Sequence, residues 1–244
     1  MLAASGGTIM NRLWHWTARA ALLALLATVA GGWFDSEATQ RKAFIEFLQT
    51  QIVNRPGVHV PALTPDDQKK FGPYVAHYTL MTDFVSDPVM TATMKKMVSG
   101  LPPINSTQMV VEQRVKIRSM SKEFGDAIKT MDEKYTKVKA ARAALKQPDD
   151  LKAVYDKAFE KLIDAPMAAF DAATPVTQAL CVAIADVADY AVAHPQTVKV
   201  NPGNFSPTDA KTRDELVKLI NVVQARGKDH AESQKRLQTV LYGS

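Results

Sequence analysis

From residue 36 onward the apolar positions recur in steps of three and four, the period of helices that each bury one stripe. The first such segment, 37–53, is capped by Ser36 and puts Phe44, Phe47, Leu48, Gln51 and Ile52 on one face before Arg55-Pro56-Gly57 stops it. A second start has Thr64 as N-cap, Pro65 at the first helical position, and Asp66 and Asp67 in the first turn, where the helix dipole favours anions. These two carboxylates read as capping groups, because neighbours on a helix point about 100° apart and do not converge on one substrate. Gly72-Pro73 predicts a kink or restart that turns Tyr74 and Tyr78 toward the same neighbour. Ser86-Asp87-Pro88 predicts another break before Met90, Met94 and Met97, and Leu101-Pro102-Pro103 ends the run.

The longest element starts at Asn105 or Ser106 and continues without proline to Gln147, on the order of 60 Å as one helix. Its seam is Ile117, Met120, Phe124, Ile128, Met131, Tyr135, Val138, Ala141 and Leu145, a coiled-coil-like spacing. Two readings stay open: the seam packs within the chain, or Phe124, Ile128, Met131, Tyr135, Val138 and Leu145 form an interaction surface for a partner or a second copy. Pro148-Asp149-Asp150 turns into a helix over 151–163, and Pro166 opens another that reaches His194 with a bend at Pro175. Between 176 and 193 the pattern is apolar nearly all round, which predicts the central buried helix. Residues 197–200, the turn 201–204 and Phe205 carry the strand signal, a small hairpin or extended excursion. Ser206 and Pro207 then cap a last helix with Leu216, Leu219, Ile220, Val223, Leu237 and Leu241 on its seam. The expected fold is all-α: an elongated up-and-down bundle of long, coiled-coil-like helices, one domain over 35–244, with a single small excursion near 197–205.

The first thirty residues follow a different pattern. Arg12 and Arg19 flank Trp14 and Trp16, and residues 20–30 are apolar without a charge, the layout of an export signal. The apolar stretch is shorter than the roughly 20 residues that span a bilayer. Cleavage after Ala30 is one expectation; an uncleaved inner-membrane anchor, with Trp33 and Phe34 at one interface and Arg19 snorkelling at the other, is the second. In either case Arg41 and Lys42 fall in the first turns after this segment, where they are candidates for contact with lipid phosphates. Met10 is an alternative start.

Composition narrows the function classes. The 34 Ala against 11 Gly favour helix. A net charge of +5 falls to +3 without residues 1–30, too small and too dispersed a surplus for a nucleic-acid face. Cys181 sits in an apolar run and reads as buried and inert. Spacings for zinc, phosphate-loop, dinucleotide, calcium or serine-hydrolase chemistry are missing, so no cofactor, metal or catalytic residue is expected and the chain reads as a non-enzyme. His15, His59, His77, His194 and His230 are scattered singly, and Asp186 and Asp189 read as solvated or paired with Lys.

The stretches Phe34-Asp35-x-Glu37, QRKAFIEFLQ (40–49), KKFGPYV (69–75) and ALKQPDDLKAVYDKAF (144–159) resemble the proteobacterial envelope family catalogued as domain of unknown function 3053. The resemblance implies an envelope location and lipoprotein-like members with a lipobox Cys just before the Phe-Asp pair; here that position is Trp33, so no lipid anchor is implied. It supplies no activity. The leading expectation is a non-enzymatic periplasmic or membrane-tethered scaffold that binds another envelope protein or itself, with contact to the membrane surface. The alternative is a binding protein for an apolar or lipidic ligand held between helices, with the Met-rich segment and the hairpin near Phe205 as its mouth. An enzyme with an unrecognised site is the third.

Overall fold

The computed structural model describes residues 36–99 and 103–243. The first helix, α1 (36–48), ends in a π-turn, Gln49–Val53. Helix α2 (Pro65–Phe71) opens with a capping box: the Thr64 hydroxyl accepts from the Asp67 amide, and the Asp67 carboxylate accepts from Thr64 N–H. A 3₁₀ turn at Gly72–Tyr74 restarts the chain into α3 (Val75–Val85), and Gly72 takes φ +54°, which a side chain resists. Asp87 accepts from the amides of Val89 and Met90 at the head of α4 (Pro88–Ser99). Helix α5 (Thr107–Ala143) is capped by Ser106. Next come α6 (Asp149–Phe159), α7 (Ala165–Ala193), strands β1 (Val198–Val200) and β2 (Phe205–Pro207), and α8 (Ala210–Tyr242). The strands form an antiparallel hairpin that pairs Val198 with Pro207 and Val200 with Phe205.

Three boundaries differ from the sequence expectation, the first being the long helix, which ends at Ala143 and not at Gln147. Pro166 does not start a helix: α6 runs through a π-turn, Glu160–Asp164, into α7, so that 149–193 is one continuous helix. Proline has no amide to donate to the carbonyl four residues back, and the wider turn just before it absorbs that missing bond without breaking the rod. Likewise, Ser206 and Pro207 belong to β2, and the cap of α8 is Asp209, whose carboxylate accepts from the Thr212 amide at 2.8 Å.

The bundle is built on α7, which packs along α5 and along α8 as its two most extensive partners. That position explains why the stretch is apolar enough to cross a membrane by length and composition, since Leu180, Cys181, Ala183, Ala185, Val187, Ala188 and Ala191 are buried against neighbours. The main core lies toward the α6 end, where α1, α2, α3, α5 and α6 bring together Phe44, Phe71, Tyr78, Phe124, Tyr155 and Phe159. A smaller cluster, Val187, Ala191, Val198 and Leu216, sits at the other end under the hairpin. Ion pairs fix the register of α6 against its neighbours: Arg142 reaches Asp156 at 2.8 Å and Asp164 at 3.2 Å, and Arg41 reaches Asp150 at 3.1 Å.

Candidate functional site

At the hairpin end the helices are not fully closed against each other. The start of α5 gives Thr107 and Val110, α7 gives Ile184 and Val187, and α8 gives Ile220, Val223 and Gln224. The hairpin closes the far side with Gly203, Asn204 and Phe205, and Ile104 completes a cleft of about 440 Å³. The walls are β-branched side chains, Ile184 and Val187 from α7, Thr107 and Val110 from α5 and Ile220 and Val223 from α8, where the α6 end has aromatic rings. Phe205, Ile220 and Val223 stay half-buried here, whereas their counterparts at the α6 end are sealed.

The hairpin is held in place by hydrogen bonds rather than by bulk. Thr107 donates its amide to the Pro202 carbonyl at 3.2 Å and its hydroxyl to the Asn201 carbonyl. Within the turn the Asn201 side-chain amide donates to Asn204 Oδ1 at 3.0 Å and to Ser206 Oγ at 2.8 Å. Val198, buried at the base, ties the strand to α7 and α8. These bonds engage the Thr107 hydroxyl and the Asn204 side-chain oxygen, which leaves the Asn204 side-chain N–H donors and the exposed Gln224 amide as the polar groups of the lining that make no bond within the described residues.

Among the described residues no ionisable side chain lines the cleft. Charges on α5 and α7 bind one another: Arg118 reaches Asp186 at 2.6 Å and Asp189 at 2.7 Å, and Arg114 reaches Asp189 at 3.2 Å. The two carboxylates hold the Arg118 guanidinium above its already high ordinary value. The two acids, expected from sequence to be solvated or paired with Lys, are partly solvated and take arginines as their partners. All four side chains are 29–47% exposed, so the network fixes register more than it adds stability.

The sequence-selected residues fall elsewhere. Phe124, Met131 and Val138 are buried, and Ile128, Tyr135 and Leu145 are half-buried against the main core. Tyr135 donates to Asp164 at 2.8 Å, and burial followed by that bond pushes its phenol up to about 12. The seam is thus occupied by α3, α4 and α7 of the same chain. Of the membrane-proximal set, Arg41 is paired with Asp150, Lys42 is exposed, and Trp33 and Phe34 lie outside the described residues, as does the whole 1–30 segment. The Met-rich segment is not at the cleft: Met81 and Met90 are core residues, and Met94 borders a separate groove with Val58, Val98 and Leu241.

Other candidate chemistry is accounted for by packing. Burial pushes the Cys181 thiol up to about 11. His77 meets Gln147 at 3.0 Å and the rings of Tyr74 and Tyr155, His230 meets the Thr177 hydroxyl at 3.2 Å, and burial holds both imidazoles below their ordinary value. Among the described residues no group of three or more His, Cys, Asp or Glu is placed to hold a metal. Sequence reasoning reached the hairpin wall of the cleft through Phe205 but missed Ile104, Val110 and Ile184, whose half-buried state depends on a gap between helices that no single-helix pattern encodes.

Comparison with known proteins identifies relatives without adding an activity. The family described as "Protein of unknown function (DUF3053)" matches residues 20–238. The "Uncharacterized protein YiaF" of Escherichia coli (strain K12) is 36% identical over 174 residues, which is 70% of this chain and 73% of the relative. The protein of the same name from Shigella flexneri matches to the same extent. No solved structure matches. The chain belongs to the DUF3053 family.

Proposed function

We propose that this member of the family is a non-enzymatic binding protein of the cell envelope, exported or held at the inner membrane by residues 1–30 and working through the cleft at the hairpin end. The observation that carries the reading is the cleft's lining: about 440 Å³ walled mainly by aliphatic and aromatic side chains, with Thr107, Asn204 and Gln224 as its polar members and no ionisable side chain among the described residues. A volume of that order suits a small molecule, and general acid–base or covalent catalysis has no group to use there. Scaffolding through the α5 seam loses its support, because those side chains are spent inside the chain. The placement of the cleft fits the envelope reading as well. The described chain begins beside Pro73 and, through Arg41, the start of α6; Val187 lies roughly 55 Å further along the same continuous helix. A membrane-anchored chain would hold the cleft well clear of the bilayer.

The test is the mass of the protein purified separately from soluble periplasmic and membrane fractions, under native and then denaturing conditions. The expected result is a small-molecule difference between the two masses, on a chain that either begins at Gly31 or still carries residues 10–30. Equal native and denatured masses in both fractions count against a resident ligand, and recovery in the cytoplasm alone counts against the location.

A further inference from the structure

We propose that the cleft binds one alkyl chain bearing an uncharged polar end, the inference resting on the reading of the cleft as a ligand site. Three observations set the ligand class. First, the wall is formed by Ile104, Val110, Ile184, Val187, Phe205, Ile220 and Val223, so the buried part of the ligand is hydrocarbon. Second, the volume of about 440 Å³ accommodates on the order of fifteen methylene-sized groups at roughly 30 Å³ each, one chain and not the two of a diacyl lipid. Third, among the described residues no Lys, Arg or His lines the cleft, and Arg114 and Arg118 are committed to Asp186 and Asp189. An anionic carboxylate or phosphate drawn inside would lose its hydration without gaining a cation from the lining, a penalty an alcohol, amide or ester avoids.

The polar end of the ligand belongs at Gln224, which is exposed on α8 and whose amide both donates and accepts. The Thr107 hydroxyl is committed to the Asn201 carbonyl, whereas the Asn204 side-chain N–H donors make no bond within the described residues and can add a second contact to that polar end. The chain end then points inward along α7 toward Val187, against the small cluster under the hairpin.

The experiment uses the full chain and the uncharged fluorescent probe N-phenyl-1-naphthylamine, with 1-hexadecanol and palmitate as competitors. The cleft is blocked by Gly203→Trp, chosen because a Cβ built on Gly203 meets no atom within 4 Å, and independently by Val223→Trp. Val222→Trp, on the exposed side of the same helix, is the control. The expected result is saturable probe binding by the parent chain and by the control, weakened at least tenfold in both blocked variants. 1-Hexadecanol displaces the probe at least tenfold more effectively than palmitate, and Gln224→Ala weakens the alcohol but not the probe. If palmitate competes as well as the alcohol or better, or if neither competes while probe binding still depends on Gly203 and Val223, the ligand class is overturned and the site stands. If the probe does not bind the parent chain, or binds the blocked variants equally, both the class and the site are overturned.

Discussion

The two ends of the helix over 149–193 are packed by different means. At the α6 end Tyr155 and Phe159 are sealed completely, and Phe44 and Tyr74 stack with ring centroids 5.9 Å apart. Phe47 meets Tyr78 edge-on at 5.3 Å. Each phenol finds a partner: Tyr155 donates to the His77 carbonyl at 2.8 Å, Tyr78 to that of Pro61, and Tyr74 to Glu37. At the hairpin end the side chains are aliphatic, several are half-buried, and the space between them is left open. One end uses large rings to fix a unique arrangement; the other gives up contact area and keeps a cavity, a cost that evolution tolerates where a ligand supplies the missing contacts.

The largest expected contrast is in truncation. Tyr155→Ala removes a fully buried ring and its hydrogen bond and is expected to cost about 3–5 kcal/mol, read from the midpoint and slope of a urea melt. Ile220→Ala, at the cleft wall, is expected to cost about 1 kcal/mol, since the side chain already faces a gap. Equal losses at the two sites would remove the distinction between a sealed and an open end.

The converse change sharpens it. Ala158 is fully buried beside Tyr155 and Phe159, so Ala158→Val is expected to overpack and cost about 1–3 kcal/mol. Val223→Leu adds one carbon to the cleft, where Ala158→Val adds two to the core, and should leave the melt unchanged while weakening occupancy. A destabilising Val223→Leu would mean that the cleft closes in solution.

Between the two ends the last turn of α8 is held by backbone contact as well as by the buried Leu237 and Leu241. Gly57 takes φ +63°, and a Cβ there would sit 2.6 Å from the Leu241 carbonyl oxygen, which accepts from Val58 N–H at 2.8 Å. Gly57→Ala is expected to cost about 1–3 kcal/mol and to release the last turn of α8, seen as faster amide exchange over 237–242. Unchanged exchange there would show that the turn is held by Leu237 and Leu241 instead.

How much of this was legible in the sequence follows from the range of each signal. The capping box at Thr64, the Ser106 cap, the restart at Gly72-Pro73 and the hairpin at 198–207 are encoded within a few residues and appear where their local chemistry places them. The π-turn at 160–164 is equally local, yet it reads as a break, because Pro166 signals a helix start and a wide turn leaves no composition of its own. What the α5 seam packs against was not legible: apolar spacing shows that Phe124, Met131 and Val138 need a partner, not whether the partner is this chain. The cleft is the extreme case. It is a volume left between four elements, and only its Phe205 wall stood out in the linear pattern.

The smallest expected contrast is in pH. His77 sits among the rings of the α6 end, and burial holds its pKa below the ordinary histidine value, so the unfolded chain takes up a proton that the folded chain refuses. The stability of that end is therefore greatest above about pH 6.5 and is lost as the pH falls through the ordinary histidine range, with the loss ending once the folded imidazole also protonates. His230, facing Thr177 midway along α7, adds a contribution of the same sign. The cleft contains no group that titrates in this range. Lowering the pH from 7.5 to 5.5 should then speed amide exchange in α3, Val75–Val85, while Ala210–Gln224 at the head of α8 keeps its relative protection, and His77→Gln should flatten the response of α3. A parallel loss of protection at both ends, or a response in α3 that survives His77→Gln, would place the pH sensitivity in the whole bundle and erase this difference between its ends.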